Sequence, residues 1–323
     1  PVVSYAVPAL VSIGQARFHF APPRNPLLRA LRRRAIAPTL RVLLSMQPAS
    51  GGYLEATPLT SFVLMSLAAA GNGKSQVAQN CLRFLMEHQL PDGSWPLATN
   101  LATWVTSLSI PAVSRLHPPN PAADQPLVDS KSIRWLWDCQ HRKRHPFTGA
   151  NPGGWGWTDL SGAVPDADDT PAALLALHAI DWQHAQGLER LQHQAHVAVA
   201  AGLSWLVRLQ NRDGGWPTFC RGWGKLPFDR SGTDLTAHAL RAFHAWLPHW
   251  ESLHTAASGH LPSRRAMHVS IRRGLTFLSR TQQPDGSWNP LWFGNQDRLP
   301  REDNPIYGTG KVLAAYGQLR LSD

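Results

Sequence analysis

A short motif of Gln, Gly and Trp recurs along the chain every few dozen residues. Three copies have the pattern Q-x-x-D-G-[GS]-W, one has Tyr in place of Trp, and one is stretched by an insertion after the Gln. The copies are Gln89–Trp95, Gln210–Trp216, Gln282–Trp288, the Tyr variant Gln47–Tyr53 and the stretched copy Gln140–Trp155. Such a repeat is typical of stacked supersecondary units, each too small to bury its apolar face alone.

Each copy lies between two helical patterns. An amphipathic stretch such as CLRFLMEHQ or GLSWLVRLQ precedes the motif, and its Asp-Gly pair is a typical helix stop. A Thr and a small-residue helix follow each copy, at Thr60, Thr106, Thr170, Thr236 and Thr309. We predict that the Gln side chain hydrogen-bonds a helix end while the Trp ring packs over the turn. Because the second helices are rich in Ala, the sequence predicts an all-α fold, an α/α barrel (toroid) with the second helices inside.

The composition fits a large, basic and Trp-rich globular protein. The chain has 323 residues, 14 Trp and a net charge of +10. Its three Cys, at 81, 139 and 220, are too few and too far apart for a disulfide framework, which favours a reducing compartment. Basic residues cluster near the start, at Arg17, Arg24, Arg29, Arg32, Arg33, Arg34 and Arg41. This cluster suits a solvated helix face, a surface for anionic lipid or, least well, a nucleic-acid patch.

We divide the chain into a basic and apolar N-terminal segment, 1–45, and an α/α barrel domain, 46–323. The N-terminal segment forms either a core helix with a solvated face or a stretch that dips into one leaflet of a membrane. No apolar run reaches the roughly 18–20 residues that span a bilayer. Since the chain starts with Pro and stops just after a helical run, we expect a fragment, truncated at the C-terminus.

Three carboxylates crowd the sequence VPDADDTPAAL, residues 164–174, at the start of an apolar helix. Helix capping explains two of them, because Asp accepts orphan backbone N–H groups and suits the helix dipole. A third adds repulsion, and crowding raises the pKa of at least one member, which can then act as an acid. In the predicted barrel, the loops entering the other second helices converge on this motif and bring Trp104, Asp234, His238, Trp292 and Tyr307 towards it. A Trp-lined cavity with one acid cluster favours chemistry over capping.

The repeats together with PDADDT resemble the triterpene cyclases of the squalene–hopene cyclase family, the class II terpene cyclases, essentially from end to end. The resemblance implies an isomerase of hopanoid or other triterpenoid biosynthesis, which cyclises squalene or a similar polyprenyl chain to a product such as hopene. It implies no cofactor and no metal. In that family the repeats build two α/α barrel domains, and this chain covers most of the one that carries the acid.

The resemblance also implies residue roles. Asp168 resembles the proton donor of the family, and Asp166 and Asp169 resemble the flanking carboxylates that hold it. His238, in DLTAH, resembles the histidine that hydrogen-bonds the acid and strengthens it. The aromatic residues that face the carbocations are matched by Trp104, Trp157, Trp292 and Tyr307. Protonating an alkene requires a dry, neutral, polarised carboxyl, and aromatic faces stabilise cations without reacting with them.

The chain departs from the family at three places. Val105 follows Trp104 where an acid often stands, and the insertion QDRLPREDNP lengthens the loop before Tyr307. The family also continues past residue 323 through further repeats that supply aromatic residues for late ring closure.

Three other functions remain open. A class II di- or sesquiterpene cyclase shares the acid motif but handles a diphosphate, which the arginines could serve. A protein prenyltransferase β-type subunit shares the barrel and binds zinc through Asp, Cys and His; Asp229, Cys220 and His238 fit that set loosely, and DADDT is then unexplained. A non-catalytic scaffold predicts that replacing Asp168 affects stability alone.

The expected partner is an apolar isoprenoid substrate, taken up at a membrane surface, with no nucleic acid. The resemblance implies a monotopic or peripheral protein, which we expect on the cytoplasmic face of a membrane. A homodimer is a further expectation.

Overall fold

The computed structural model describes residues 6–116, 128–146, 148–182, 189–219, 227–257, 259–291, 293–295, 297 and 303–320. The chain divides into two compact units. The first comprises Pro1–Leu101, Pro146–Thr148 and Thr158–Val164, and the second comprises Ala102–His145, Gly149–Trp157 and Pro165–Asp323. The domain boundary at residue 45 stays a prediction.

The described secondary structure is almost entirely helical. The helices are α1 (Val7–Phe20), α2 (Pro26–Met46), α3 (Thr57–Ala69), α4 (Gln76–Glu87), α5 (Ala102–Leu116), α6 (Ser130–Asp138), α7 (Asp169–His178), α8 (Glu189–Leu209), α9 (Thr233–Trp246), α10 (Trp250–Ala257), α11 (Arg264–Thr281) and α12 (Pro305–Leu319). Short 3₁₀ turns cover Tyr53–Glu55, Pro227–Asp229 and Leu247–His249. Two short strands, β1 (Trp216–Pro217) and β2 (Ser231–Gly232), pair antiparallel. The predicted fold class, all-α with the helix pairs of an α/α toroid, is confirmed.

The Gln amide of each repeat bonds the Gly carbonyl of its own turn, where the sequence predicted a bond to a helix end, and in three copies it also bonds a carbonyl of a helix further along the chain. Nε2 of Gln210 donates to the carbonyl of Gly214 at 2.7 Å and to that of Ser270, on α11, at 2.9 Å. Gly214 has a φ of 97°, and a Cβ there would lie 2.3 Å from a carbonyl oxygen of α11, so the close approach requires Gly. The same pair of hydrogen bonds runs from Gln140 to the carbonyls of Gly153 and Ala198, and from Gln47 to those of Gly51 and Val77.

The aromatic residue of each repeat donates a hydrogen bond to the helix before it. The indole Nε1 of Trp216 lies 2.8 Å from the carbonyl of Leu206, ten residues earlier, and its ring is fully buried. Equivalent bonds run from Trp95 to Leu85, from Trp155 to Leu136, from Trp288 to Leu278 and from the hydroxyl of Tyr53 to Leu43. The following Thr completes the turn, because Thr236 Oγ1 accepts from the backbone N–H of Trp216 at 3.2 Å. The motif therefore specifies the turn through side-chain bonds to backbone groups.

The second unit contains two rows of helices. An inner row of α5, α7, α9 and α12 packs side by side in that order, and an outer row of α6, α8 and α11 lies against it. Most residues of α7 and α9 are buried, including Ala173, Ala176, Ala239 and Ala242, because small side chains allow the helices to approach closely. This row positions the acid motif, which enters α7.

The first unit has its own core. In it, α1 packs on α3, α3 packs on α4, and α2 contacts α1 and α4. Leu43, Val63, Leu67 and Cys81 are fully buried at its centre. Much of α2 is exposed, including Leu27 and Leu31.

Candidate active site

In the acid motif, Asp166 caps α7 and Asp168 does not. Oδ1 of Asp166 accepts the backbone N–H groups of Asp168 and Asp169 at 2.8 and 2.7 Å, which satisfies two orphan donors of α7. Asp168 stands at the N-cap position but caps nothing with its own side chain. Asp166 therefore performs the capping, which leaves the Asp168 carboxyl to other partners.

The carboxyl of Asp168 meets the imidazole of His238, on the second turn of α9. His238 Nδ1 lies 2.9 Å from Asp168 Oδ1. The Asp168 side chain is 20% exposed, whereas Asp166 and Asp169 are 3% and 4% exposed. Of the three acids, Asp168 is therefore the one that a bound molecule can reach.

The charge state of this pair follows from its surroundings. Burial raises the pKa of Asp168, but His238, Lys311 and the side chain of Trp104 outweigh it and bring the pKa below its ordinary value. Burial lowers the pKa of His238, against the opposing effect of Asp168. Near pH 7 the pair is thus a carboxylate that accepts the Nδ1–H of a neutral imidazole.

The two buried carboxyls of the motif share a proton. Oδ2 of Asp166 and Oδ1 of Asp169 have no donor among the described residues when both groups are ionised, although the two side chains are within hydrogen-bonding reach of each other. Burial raises the pKa of Asp166 to about 7, and burial and the charge of Asp166 raise that of Asp169 well above its ordinary value. A proton between them supplies the missing donor. The raised pKa values therefore belong to this buried pair, with burial as their main cause, whereas the pKa of Asp168 lies below its ordinary value.

A fourth carboxyl lies in the first turn of α9. Asp234 is 3% exposed, and its Oδ1 has no partner in the described parts of the chain. Burial raises its pKa to about 6, with a smaller contribution from the charge of Asp168. Asp234 and His238 are four residues apart on one face of α9, so both approach Asp168.

The structure brings three of the four predicted aromatic residues into this region. The Trp104 side chain hydrogen-bonds Asp168 and thereby lowers its pKa. The backbone N–H of Trp104 donates to the carbonyl of Trp157 at 3.2 Å. The Trp157 ring packs at 6.0 Å from that of Phe219. Burial, and then the charges of Asp168 and Asp234, raise the pKa of Tyr307. The fourth, Trp292, lies outside the described residues.

Sequence reasoning missed two contributors. Phe293 packs its ring at 4.8 Å from that of Tyr307. Lys311, one turn after Tyr307 on α12, places its Nζ 5.4 Å from the same ring and lowers the pKa of Asp168 and of Asp234. The spacing of four residues puts Lys311 on the Tyr307 face of α12, but this spacing gives no distance from Lys311 to Asp168.

The alternative zinc site is not assembled in the part of the chain that the structure describes. No group of three or more His, Cys, Asp or Glu side chains there could hold a metal ion. Cys220, one member of the loosely fitted set, lies outside the described residues. No described helix combines the length and the apolar character needed to cross a bilayer.

Comparison with known proteins identifies relatives of this arrangement. The family model of the squalene-hopene cyclase C-terminal domain matches residues 100–322. The chain is 27% identical over 246 residues to the squalene–hopene cyclase of Alicyclobacillus acidocaldarius, covering 70% of this chain and 33% of that protein. It is 29% identical over 236 residues to the drimenyl diphosphate synthase of Streptomyces showdoensis, covering 72% and 34%. It is 26% identical over 258 residues to the enfumafungin synthase of Hormonema carpetanum, covering 72% and 17%. The chain thus spans about a third or less of the length of these relatives.

Proposed function

We propose that this chain, which belongs to the squalene-hopene cyclase C-terminal domain family, carries the acid site of a class II, protonation-initiated terpene cyclase. The substrate is squalene or a similar polyprenyl chain, and the product is a polycyclic triterpene such as hopene. The observation that carries the proposal is the 2.9 Å bond between His238 Nδ1 and the reachable carboxyl of Asp168, beside the buried pair Asp166 and Asp169.

In the proposed reaction, the protonated Asp168 gives its proton to the terminal double bond. The π electrons of the alkene form the new C–H bond, and a tertiary carbocation remains. The electron pair of the broken O–H bond stays on the Asp168 carboxylate, which the N–H of His238 stabilises. Each following ring closure consumes one more double bond and moves the cation along the chain. Loss of a proton from the last cation to a base gives a neutral product such as hopene, so the sequence is an isomerisation.

The resting charge state sets a condition on this reaction. Asp168 is ionised near neutral pH before substrate arrives, so it must take up a proton when the site fills. An apolar chain that covers Asp168 removes water from it, and desolvation disfavours the charged form and raises its pKa. The proton shared by Asp166 and Asp169 leaves that pair with one negative charge instead of two, so Asp168 returns to the carboxylate form against less repulsion.

The aromatic side chains support the later steps. Trp104, Trp157 and Tyr307 present π faces, which stabilise positive charge and do not form bonds with it. The Trp157–Phe219 and Tyr307–Phe293 contacts fix the ring planes, so these faces are in place before a cation forms.

A class II di- or sesquiterpene diphosphate cyclase is the second candidate. Two observations favour it: the similarity to a drimenyl diphosphate synthase, and Lys311, a fixed cation near the acid. An ammonium is an unfavourable neighbour for a carbocation but a suitable one for an anionic substrate.

We further propose that the protein works at a membrane, on its cytoplasmic face. A polyprenyl substrate dissolves in the bilayer, and α2 exposes Leu27 and Leu31 beside arginines. An exposed helix with apolar and basic side chains is typical of peripheral binding to anionic membranes.

Turnover by the full-length protein tests the proposal. Wild type, Asp168→Asn and the matched control Asp159→Asn, whose side chain is exposed, are incubated with squalene in detergent, and products are identified by gas chromatography and mass spectrometry. We expect cyclised C30 product from wild type and control, and a loss of about 10²–10⁴-fold in Asp168→Asn.

The outcomes separate the candidates. Full activity in a folded Asp168→Asn protein would remove Asp168 from the chemistry. Product from geranylgeranyl or farnesyl diphosphate, but none from squalene, would select the diphosphate cyclase. No product from any substrate, with all variants folded by circular dichroism, would leave the scaffold function.

A further inference from the structure

A cleft in the first unit carries positive charge that the proposed cyclisation does not use. It lies between α1 and α2 and has a volume of 240 Å³. Its lining combines guanidinium and imidazole groups with apolar side chains, among them His19, Arg29, Arg33, Phe18, Pro22 and Ile36. A volume this far above the roughly 30 Å³ of a water molecule accommodates a ligand of several heavy atoms.

The charge around the cleft has one sign. Seven arginines stand between residues 17 and 41, and no Asp or Glu occurs before Glu55. The guanidinium of Arg33 has no hydrogen-bond or ion-pair partner among the described residues. Arg29 uses its Nε to bond the carbonyl of Pro23 at 3.1 Å, which fixes the guanidinium and leaves its terminal N–H groups available. Two donor forks, four residues apart on one face of α2, therefore line the same cleft.

The base of the cleft is already fixed by its own hydrogen bonds. Gln15, 7% exposed, donates from Nε2 to Thr39 Oγ1 at 2.9 Å and accepts at Oε1 from Asn72 Nδ2 at 2.8 Å. These bonds join α1, α2 and the turn after α3. The cleft thus does not need a ligand to form, and such pre-organisation reduces the ordering cost of binding.

We infer that this cleft binds a phosphate or diphosphate group carried on an apolar chain. The guanidinium forks of Arg29 and Arg33 match the geometry of phosphate oxygens, and His19 adds an imidazole N–H. Phe18, Pro22 and Ile36 offer an apolar wall to the first carbons of the chain. A bare inorganic anion would leave this wall without a partner, and a nucleic-acid backbone carries no aliphatic chain to cover it.

This inference does not rest on the proposed cyclisation, since none of these residues belongs to the acid site. The shared chemistry has two sources, an anionic phospholipid in a membrane and a soluble prenyl diphosphate. The experiment distinguishes them by offering each separately.

The test uses the full chain and two double variants that remove the same charge. Arg29→Gln/Arg33→Gln alters the cleft, and Arg32→Gln/Arg34→Gln alters two exposed arginines of α2 that do not line it. Binding of farnesyl diphosphate and of inorganic diphosphate is measured by calorimetry. Binding to phosphatidylcholine vesicles with and without phosphatidic acid is measured by co-sedimentation, and circular dichroism verifies the fold.

We expect the cleft variant to bind about tenfold or more weakly and the control to lose less than about threefold, because only the cleft pair contacts the phosphate. Cleft-dependent binding of phosphatidic acid vesicles identifies the lipid source, and cleft-dependent binding of farnesyl diphosphate identifies the soluble one. Equal losses in both variants would show a diffuse charge effect and overturn the site. Equal affinity for inorganic and farnesyl diphosphate would overturn the apolar-chain assignment. Tighter, cleft-dependent binding of a short RNA duplex would overturn it as well.

Discussion

The turns that enter α3 and α7 have the same backbone frame but carry different carboxyls. In both, a Gln amide bonds a Gly carbonyl of the turn, through Gln47 before α3 and Gln140 before α7. In both, an aromatic side chain donates to a helix carbonyl at 2.8 Å, from Tyr53 or from Trp155. The frame is thus a property of the repeat and says nothing about chemistry.

The carboxyls differ in where their partners come from. Glu55, fully buried before α3, accepts from Ser50 Oγ at 3.0 Å and from the backbone N–H of Gly162 at 2.8 Å. These two donors, a Ser hydroxyl and a backbone amide, do not ionise near neutral pH. Asp168 instead accepts from a titratable imidazole on the neighbouring inner helix and is partly exposed. Burial alone therefore does not make an acid site; a titratable partner and access do.

The largest expected effect is the loss of stability when the aromatic side chain that holds the turn before α7 is removed. Trp155→Ala removes a fully buried indole and its bond to Leu136, and we expect a loss of about 3–5 kcal/mol in the free energy of unfolding. Trp95→Ala is the matched control, because its ring is 46% exposed, and we expect a loss of about 1 kcal/mol. Urea unfolding followed by circular dichroism measures both. Equal losses would show that the turns do not depend on burial of the ring.

The next effect is a pH dependence of stability that comes from the carboxyls before α7. The pKa of Asp166 is about 7 in the folded chain, against about 3.9 in an unfolded one, so the folded state binds more protons between these values. The contribution of Asp166 to the unfolding free energy therefore falls as pH rises from about 4 to 7, by roughly 2 kcal/mol or more. The lowered pKa values of His141, His178, His196 and His238 act with the opposite sign in this window, so the Asp166 contribution is read from a variant against wild type. The lowered pKa of Asp168 acts with the opposite sign, but below this window.

Asp169→Asn tests this dependence. The Asn amide can donate to Asp166 without a shared proton, so we expect a gain in unfolding free energy over wild type that grows from pH 5 towards pH 7. Urea midpoints at pH 5 and pH 7 measure it, with exposed Asp159→Asn as the control that keeps the wild-type slope. An unchanged slope in Asp169→Asn would place the proton elsewhere.

The sequence predicted the frame well because the motif acts through side chains of fixed chemistry. The Gln bonds the backbone of its own turn and the aromatic residue bonds the helix before it, so the turn follows mainly from residues close in sequence. The approach of His238 to Asp168 was also predictable, since both begin second helices and neighbouring second helices pack together.

The proton distribution and Lys311 were not predictable in the same way. Which carboxyl keeps a proton depends on donor positions: Asp166 is enclosed with Asp169, whereas Asp168 meets His238 and Trp104. Lys311 lies in the unremarkable stretch GTGKVL, and its effect on Asp168 follows from the packing of α12 on α9. Spacing in sequence indicates a shared helix face but gives no distances between helices.

A smaller effect concerns the Tyr that replaces Trp before α3. Tyr53→Phe keeps the buried ring but removes the hydroxyl that donates to Leu43 at 2.8 Å, which leaves a buried carbonyl without this donor. We expect a loss of about 1 kcal/mol in the free energy of unfolding. Urea unfolding measures the loss, and Tyr316→Phe, at a partly exposed ring, is the control. An unchanged free energy of unfolding in Tyr53→Phe would mean that ring packing alone holds this turn.

The smallest expected effect, in Glu55→Gln, bears most directly on the comparison. The Gln oxygen can accept from both Ser50 and Gly162, and the second terminal atom lacks a described partner in either protein, so we expect a stability change below about 1 kcal/mol. Burial raises the pKa of Glu55, so the variant should also lose a part of the stability decrease with rising pH. Turnover should stay within about twofold of wild type, since the described donors to Glu55 are the Ser50 hydroxyl and the Gly162 backbone N–H, which do not titrate near neutral pH. A loss of turnover like that of Asp168→Asn would show that Glu55 also takes part in the reaction, and the two turns would then not differ in function.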